Sequence, residues 1–132
     1  MITVYGGGSW GTALAHVLAS TGREVSLLLR DTTVAEAINR HHENPRYLAG
    51  LPLAPSLRAV TDCSVLGDSD VWVLAVPCQS QRGALEAVRS QLRPETIIVN
   101  ASKGIELDTL KPLSVVVREA LHGTDEDMRR RY

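Results

Sequence analysis

The 132-residue sequence lacks the features that mark several specialised classes of protein. Charge of one sign is not in excess, because the formal net charge is −1 at pH 7, so we expect no binding to nucleic acid. The longest apolar runs fall far short of a membrane span, which predicts no membrane insertion. The composition, with 44% hydrophobic and 22% charged residues, is that of one ordinary globular domain.

Cysteine is also scarce. Cys63 and Cys78 have a spacing that fits neither a metal site nor a disulfide framework, so we expect reduced thiols in a cytoplasmic protein. The adjacent His41 and His42 would point about 100° apart on a helix, which makes a poor metal pair, and no metal site is predicted. A glycine-rich turn arrives at residue 6, before the hydrophobic region of a signal peptide could form.

Short apolar segments alternate with amphipathic ones along the chain. The patterns predict strands over 2–5, 24–29, 58–62, 71–77 and 96–101, and helices over 9–21, 32–42, 80–92 and 113–122. Such alternation requires right-handed crossovers and a parallel sheet. We therefore predict an α/β fold, the doubly wound Rossmann sheet of about five strands in the order 3-2-1-4-5.

Two short patterns predict how helices begin. Thr33 and Glu36 have the spacing of a capping box at the start of the second helix. Asp62 is placed to cap a small helix after the third strand.

An Asn-Pro pair ends the second helix, and residues 44–58 then form a long loop with three prolines and one glycine. Long loops inside compact domains are often functional.

The stretch "VYGGGSWG" places Gly6, Gly8 and Gly11 between a predicted strand and a predicted helix. Gly6 permits a tight turn, Gly8 lets a pyrophosphate approach the backbone, and Gly11 lets the helix pack closely on the strand. Helix N-terminal amides and the helix dipole favour the anion. The spacing predicts a dinucleotide site at the point where strand order reverses, with a purely structural turn as the alternative.

The end of the second strand bears on which dinucleotide binds. An acidic residue usually stands there and bonds the ribose 2′-hydroxyl, but here Leu29 has that place and Arg30 follows. A guanidinium binds a 2′-phosphate, which favours NADP(H) over NAD(H). Asp31 leaves the alternative open, because its carboxylate could turn toward a ribose hydroxyl or cap the next helix.

Lys103 lies just beyond the carboxyl end of the fifth strand, in "NASKGIE". Side chains at that edge of a parallel sheet point into the ligand crevice. An ammonium group there could stabilise a carbonyl oxygen that becomes an alkoxide during hydride transfer, or bind a substrate anion. A solvated loop lysine is the alternative.

Four segments together resemble a known family. "GGGSWGTALA", "NPRYLAGLPL", "LAVPCQSQR" and "NASKGIE" are similar to the N-terminal half of bacterial NAD(P)-dependent glycerol-3-phosphate dehydrogenases, in the same order and spacing. The resemblance covers residues 1 to about 122. It implies reduction of dihydroxyacetone phosphate to sn-glycerol 3-phosphate, a precursor for phospholipid synthesis.

The resemblance also implies roles for single residues. Ser9 and Trp10 would line the cofactor turn, and Arg30 would meet the adenosine end of the cofactor. Tyr47 would lie near the cofactor, and Pro77 would end the fourth strand beside the nicotinamide. Lys103 would contact both cofactor and substrate.

The sequence departs from the family pattern in two places. Cys78 stands where the family usually has serine or histidine. After residue 122 the family continues with a strand, a serine-glycine-proline turn and a helical substrate domain that supplies a second lysine, the proton acceptor. Here "GTDEDMRRRY" follows, so we expect a dinucleotide-binding domain over 1–122, a disordered tail over 123–132 and no helical domain.

These expectations leave three functions open. In the first, the chain is the cofactor domain of a glycerol-3-phosphate dehydrogenase and is inactive or nearly so without the proton acceptor. In the second, it is a stand-alone, non-catalytic dinucleotide-binding module or a truncated gene product. In the third, it is part of a sibling reductase such as ketopantoate reductase. The resemblance implies a small phosphate substrate as partner and leaves a homo-oligomer open.

Overall fold

The computed structural model of the chain describes residues 1–123, 126 and 130–132. In this part of the chain, the strands are β1 (Ile2–Tyr5), β2 (Val25–Leu28), β3 (Arg58–Val60), β4 (Val71–Leu74) and β5 (Ile97–Asn100). The α-helices are α1 (Ser9–Ser20), α2 (Thr32–His41), α3 (Gln81–Val88) and α4 (Leu113–Ala120). Short 3-10 helices cover Cys63–Asp68, Cys78–Ser80 and Arg89–Gln91.

All strand pairs are parallel, and the spatial order is β3-β2-β1-β4-β5, which confirms the predicted doubly wound sheet. The register aligns the carboxyl ends of the strands. Tyr5 at the end of β1 is level with Leu28 and Leu74, and Leu74 is level with Asn100. The segments that follow β1, β2, β4 and β5 therefore emerge along one edge of the sheet.

The sheet is covered on both faces by separate apolar cores. Helices α1 and α2 cover one face, where Leu27 and Val73 pack with Ile38. Helices α3 and α4 cover the other, where the fully buried Trp72 packs with Leu85. Every residue of β2 is buried, and the apolar run Leu27–Leu29 at its end is typical of a strand that is covered on both faces. Full burial of a large apolar side chain stabilises the fold by about 1.5–3 kcal/mol, so the two cores hold the strands and helices in place. They thereby fix the edge of the sheet from which the loops emerge.

One helix cap differs from its prediction. Helix α2 begins at Thr32, as predicted, but the capping box of Thr33 and Glu36 is wrong, because the N-cap is Asp31. Asp31 Oδ1 accepts from the amides of Thr33 and Val34 at 3.0 and 3.2 Å. A carboxylate satisfies two of the free amides of the first turn, so it displaces the threonine as cap.

Strands β2 to β5 end one to three residues earlier than predicted, and β4 ends at Leu74 rather than at Pro77, which is the N-cap of the 3-10 helix Cys78–Ser80. The Asp62 cap is confirmed, since its Oδ1 accepts from the Ser64 amide at 2.9 Å. The helix predicted over 80–92 is divided into α3 and the 3-10 turn Arg89–Gln91. Within the described residues, no helix is long and apolar enough to span a bilayer. The same residues contain no cluster of three or more potential metal ligands.

The expected disordered tail includes residues 124, 125 and 127–129, which lie outside the described residues. Two described residues of that segment contact the domain. Arg131 donates from Nη1 to the Arg93 carbonyl at 2.9 Å, and Asn100 Nδ2 donates to the Tyr132 hydroxyl at 3.1 Å. Disorder of residues 123–132 stays a prediction.

Candidate functional site

The three glycines of the turn between β1 and α1 differ in what surrounds them. A Cβ on Gly6, whose φ is +126°, would lie 2.6 Å from the Ala75 carbonyl oxygen, and one on Gly11 would lie 1.8 Å from the Gly6 oxygen. The close approach of backbone to backbone thus requires both. A Cβ on Gly8 would meet no heavy atom within 4 Å. The packing of the chain itself therefore gives no reason for glycine at position 8.

Gly8 is also the N-cap of α1, and no side chain caps that helix. The amides of the first turn of a helix lack intrahelical partners and carry the positive end of the helix dipole. An open backbone position directly before these amides has the shape and polarity that an anionic group needs.

The end of β2 is arranged around a buried leucine. Leu29 is only 5% exposed, and a Cβ on Gly7 would lie 2.5 Å from the Leu29 Cβ, so the two segments touch. Arg30 is exposed. Burial raises the pKa of the Tyr5 hydroxyl, and Cys63 acts in the same direction, whereas the positive charge of Arg30 lowers that pKa. Arg30 follows Leu28 by two residues, and Leu28 is level with Tyr5, the last residue of β1.

Both carboxylate oxygens of Asp31 accept hydrogen bonds from other residues of the chain. Besides capping α2 with Oδ1, it accepts from Arg46 Nη1 at 3.1 Å with Oδ2. The Arg46 guanidinium also lies 5.5 Å from the centre of the Tyr47 ring. Of the two roles that the sequence left open for Asp31, the cap is the one that is formed.

A buried asparagine ties the proline-rich loop to the glycine turn. Asn44 is fully buried, and its Nδ2 donates to Thr12 Oγ1 at 2.9 Å and to the Gly7 carbonyl at 3.3 Å. Its Oδ1 accepts from the amides of Arg46 and Tyr47, both at 3.2 Å. The sequence reading missed Asn44, which it treated only as the end of a helix.

A second contact holds the same loop. Ser9 Oγ donates to the Tyr47 carbonyl at 3.4 Å. The structure therefore brings Ser9, Tyr47 and the glycine turn together. Arg46 lies in the same loop, and the sequence analysis did not single it out. We refer to residues 44–50 as the proline loop.

An open crevice of about 380 Å³ lies at the carboxyl ends of β4 and β5. It is lined by Trp10, Pro77, Cys78, Lys103 and the backbone neighbours Ala75, Val76, Ala101 and Ser102. The Trp10 indole crosses from the glycine turn, and its Nε1 donates to the Ala101 carbonyl at 3.0 Å. Lys103 Nζ lies 5.9 Å from the centre of the Trp10 ring, within the range of a cation–π contact.

Polar side chains fix the backbone on which Lys103 stands. Ser102 Oγ donates to the Val76 carbonyl at 2.7 Å, and the Ser102 amide donates to Asn100 Oδ1 at 3.0 Å. The fully buried Gln81 donates to the same Asn100 oxygen at 3.0 Å. These bonds join the ends of β4 and β5 to α3. Gln81 and Asn100 hold the backbone of the candidate site, and no local sequence pattern indicated them.

The loop after Lys103 is anchored by ion pairs. Arg82 on α3 binds Glu106 through two bonds of 2.8 Å and Glu119 on α4 at 2.9 Å. Lys111 binds the other oxygen of Glu119 at 2.6 Å. The bonds from Arg82 hold the pKa of Glu106 at about 2, well below its usual range, with a further contribution from the Thr109 hydroxyl. A doubly hydrogen-bonded guanidinium fixes orientation as well as charge.

The predicted site residues thus lie in two groups along one edge of the sheet. The first group surrounds the glycine turn and the end of β2, and contains Ser9, Arg30 and Tyr47. The second lines the crevice and contains Pro77 and Lys103. Trp10 connects them, since it starts from the glycine turn and reaches the end of β5.

Comparison with known proteins identifies one family that this chain resembles. The family described as NAD-dependent glycerol-3-phosphate dehydrogenase N-terminus matches residues 1–128. The chain is 50% identical over 123 residues to the glycerol-3-phosphate dehydrogenase (NAD(P)+) of Nitratidesulfovibrio vulgaris strain DP4, covering 92% of this chain and 37% of that protein. It is 52% identical over 122 residues to the enzyme of the same name from Desulfovibrio desulfuricans, covering 92% and 36%.

Solved structures give the same result. The glycerol-3-phosphate dehydrogenase of Coxiella burnetii superposes with a TM-score of 0.83 at 29% identity, and the match covers 91% of this chain and 37% of that one. The chain therefore spans a little over a third of the length of the relatives that it matches.

Proposed function

We propose that this chain, which belongs to the NAD-dependent glycerol-3-phosphate dehydrogenase N-terminal family, is the cofactor-binding part of an enzyme that interconverts dihydroxyacetone phosphate and sn-glycerol 3-phosphate. The family is one of oxidoreductases that use a nicotinamide dinucleotide. The proposal depends above all on Gly8, where the fold leaves a Cβ position open directly before the uncapped start of α1.

The pyrophosphate would lie at Gly8. The first amides of α1 would donate to its oxygens, and the absence of a Cβ would let the anion approach the backbone. Ser9 and Trp10 follow directly in the first turn of α1 and would flank it. Gly6 and Gly11 would act indirectly, by allowing β1, α1 and the start of the β4 loop to come together.

The adenosine would extend from the pyrophosphate toward the end of β2. Arg30 is exposed there and would bind a 2′-phosphate, which favours NADP(H) over NAD(H). A buried leucine holds the place where a carboxylate would accept from a ribose 2′-hydroxyl, which supports the same preference. Tyr47 would contact the cofactor from the proline loop.

The nicotinamide would occupy the crevice beside Pro77, and when bound it supplies or accepts the hydride. Lys103 would then stand between cofactor and substrate. Its ammonium group would stabilise negative charge on the carbonyl oxygen of dihydroxyacetone phosphate as that oxygen becomes an alkoxide. The apolar indole of Trp10 would shield one side of the reacting groups from water.

We further propose that residues 1–122 suffice for nucleotide binding but not for turnover. The resemblance places the proton acceptor and most phosphate-binding residues in a part of the family that these residues do not include. General acid–base catalysis contributes typically 10²–10⁴-fold, and substrate positioning can contribute more. With saturating dihydroxyacetone phosphate, NADPH oxidation by this chain should therefore stay far below about 1 s⁻¹, and a Lys103-dependent rate at that level would contradict the proposal.

A binding titration tests the site at Gly8. Gly8→Val should fold normally, because the new methyl groups meet open space, yet it should abolish NADPH binding in calorimetry because they occupy the proposed pyrophosphate position. Gly83→Val is the matched control, since a Cβ at that exposed position of α3 also meets nothing within 4 Å. If Gly8→Val bound NADPH as tightly as the parent, the proposed site would be wrong.

Two other functions receive less support. A sibling reductase such as ketopantoate reductase would not account for 50% identity to a glycerol-3-phosphate dehydrogenase across 92% of this chain. A stand-alone dinucleotide-binding module predicts the same nucleotide titration but no role for Lys103. Rate measurements on a protein that joins this chain to the remaining family domain would separate the two, because only the enzyme needs the ammonium group.

A further inference from the structure

We propose that Arg46 and Asp31 together set how strongly this site prefers a 2′-phosphorylated dinucleotide. In this arrangement Arg46 is a specificity-determining cation, and Asp31 is the carboxylate whose charge it balances. The inference rests on the proposed function, because it concerns the adenosine end of the same nucleotide site.

The position of Asp31 is what makes its charge important. It follows Leu28, the last residue of β2, by three places, at the sheet edge where the ribose of a dinucleotide lies in this fold. An unbalanced carboxylate there would favour a ribose 2′-hydroxyl and repel a 2′-phosphate. A site that accepts the phosphate needs this charge to be engaged elsewhere.

The hydrogen bonds of Asp31 show that it is engaged. One oxygen accepts from two amides of α2 at 3.0 and 3.2 Å, and the other accepts from Arg46 at 3.1 Å. An ionised carboxylate offers about four acceptor positions, so most of its capacity is used. The cap and the ion pair thus withdraw Asp31 from the role that a carboxylate at this edge usually has.

Arg46 is held in place by its own neighbours. Its amide donates to the buried Asn44, and its guanidinium lies against the Tyr47 ring. Tyr47 is in turn joined to the glycine turn through Ser9. The proline loop therefore carries the Arg46 charge to the end of β2, although the two segments are 15 positions apart in sequence.

The same guanidinium retains capacity for a ligand. A guanidinium has five N–H donors, and the bond to Asp31 uses one nitrogen, Nη1, while the side chain is 61% exposed. Arg46 can therefore bind a phosphate oxygen without leaving Asp31. With Arg30, the end of β2 then has two arginines against one carboxylate, a net charge of +1.

Four proteins test the pair: the parent, Arg46→Met, Asp31→Asn and the double variant. The asparagine keeps an oxygen that can cap α2 and removes only the charge. Kd is measured for NADPH and for NADH by titration at low salt. Arg46→Met should weaken NADPH binding about tenfold, with NADH changed by less than about twofold, because a charge-assisted bond to phosphate is lost.

The ratio of the two Kd values should follow the local charge. NADPH preference should be strongest in Asp31→Asn, intermediate and similar in the parent and the double variant, and weakest in Arg46→Met. Adenosine 2′,5′-bisphosphate should show the same order, and adenosine 5′-monophosphate should show none. Arg40→Met, which removes an exposed arginine from the last turn of α2, is the control and should leave all Kd values unchanged.

Equal losses for NADPH and NADH in Arg46→Met would overturn the inference, because they would show that Arg46 only supports the loop. Unchanged binding of both nucleotides would overturn it as well. Thermal unfolding of each variant verifies that the fold is retained. Failure of the parent to bind either nucleotide is a different result, and it would refute the proposed function itself.

Discussion

The two ends of the candidate site are held together by different forces. Around the glycine turn, a fully buried asparagine fastens the proline loop through neutral hydrogen bonds to backbone and to Thr12. Around the crevice, the loop after Lys103 is fastened by ion pairs among Arg82, Glu106, Lys111 and Glu119. The first end also contains the Arg46–Asp31 ion pair, but its side chains are exposed, and exposed ion pairs contribute little to stability. Shape-changing substitutions should therefore affect the first end most, whereas acid should affect mainly the second.

The two ends also differ in exposure. The loop after Lys103 presents Ile105, Leu107 and Leu110, which are 56%, 70% and 75% exposed. Of the large apolar side chains in the proline loop, mainly Tyr47 is exposed, and Asn44, which joins the loop to the glycine turn, is buried. We therefore expect the proposed adenosine end to depend on contacts within residues 1–50 and the crevice end on the more exposed loop after Lys103.

The largest effect on nucleotide choice should come from Arg30. Arg30→Ala should weaken NADPH binding by roughly ten- to a hundredfold and NADH binding far less, since a charge-assisted bond contributes about 1.5–3 kcal/mol. Parallel titrations with the two nucleotides measure the difference. Equal losses would place Arg30 away from the 2′-position.

Replacement of the buried Asn44 should weaken the attachment of the proline loop to the glycine turn. Asn44→Ala removes the bonds to the Thr12 hydroxyl and the Gly7 carbonyl and the bonds from the amides of Arg46 and Tyr47. A buried polar group left unsatisfied costs about 1–3 kcal/mol. Denaturant unfolding should show the loss. The affinities for both nucleotides should fall, and the affinity for NADPH should fall more, because the same loop holds Arg46 beside Asp31.

The control for this variant is Asn39→Ala. Asn39 makes two similar bonds of 2.9 Å to the Ala59 backbone, away from the glycine turn. It should lose stability while keeping the parental affinity for both nucleotides. Unchanged nucleotide binding in Asn44→Ala would show that the proline loop has no part in the site.

The smallest effect should appear at the crevice end, as a pH dependence of stability. The pKa of Glu106 is lowered to about 2 in the folded chain, chiefly by Arg82, so its contribution is present above the ordinary carboxyl pKa, near 4.5. That contribution is lost as the pH falls from about 4.5 toward 2. Glu106→Gln should therefore lower the unfolding temperature relative to the parent at pH 7, and the difference should shrink below pH 4.5.

Glu86→Gln, at an exposed position of α3, controls for the loss of one carboxylate and should show no such pH-dependent difference. A gap between parent and Glu106→Gln that stayed constant from pH 7 to pH 3 would mean that the ion pairs do not stabilise the loop.

The fold was predictable because its signals are local and repeated. Alternating strands and helices fix the sheet order, and the apolar run at the end of β2 is typical of burial on both faces. The capping box failed because Asp31 and Thr33 were both candidate N-caps, and local spacing does not rank them. Asp31 accepts from the amides of Thr33 and Val34, so the helix begins after Asp31.

The site was predictable only where one residue carries the signal. Gly8, Arg30 and Lys103 stand at strand ends, which sequence can locate. The contact of Trp10 with the end of β5 joins residues 91 positions apart, and the bonds of Asn44 to the glycine turn span 32 and 37 positions. Such pairs follow from the packing of the sheet edge, so no short pattern predicts them.

The most direct test asks whether one nucleotide occupies both ends. Cys78 lines the crevice, and in the variant Cys63→Ser it is the single thiol left in the 132-residue sequence. NADPH at ten times its Kd should slow alkylation of Cys78 by iodoacetamide about tenfold, because about nine-tenths of the sites are then occupied. Adenosine 2′,5′-bisphosphate at saturation should leave the rate unchanged, since it fills only the adenosine end. Equal protection by both compounds, or by neither while NADPH binds, would contradict the placement of the nicotinamide in the crevice.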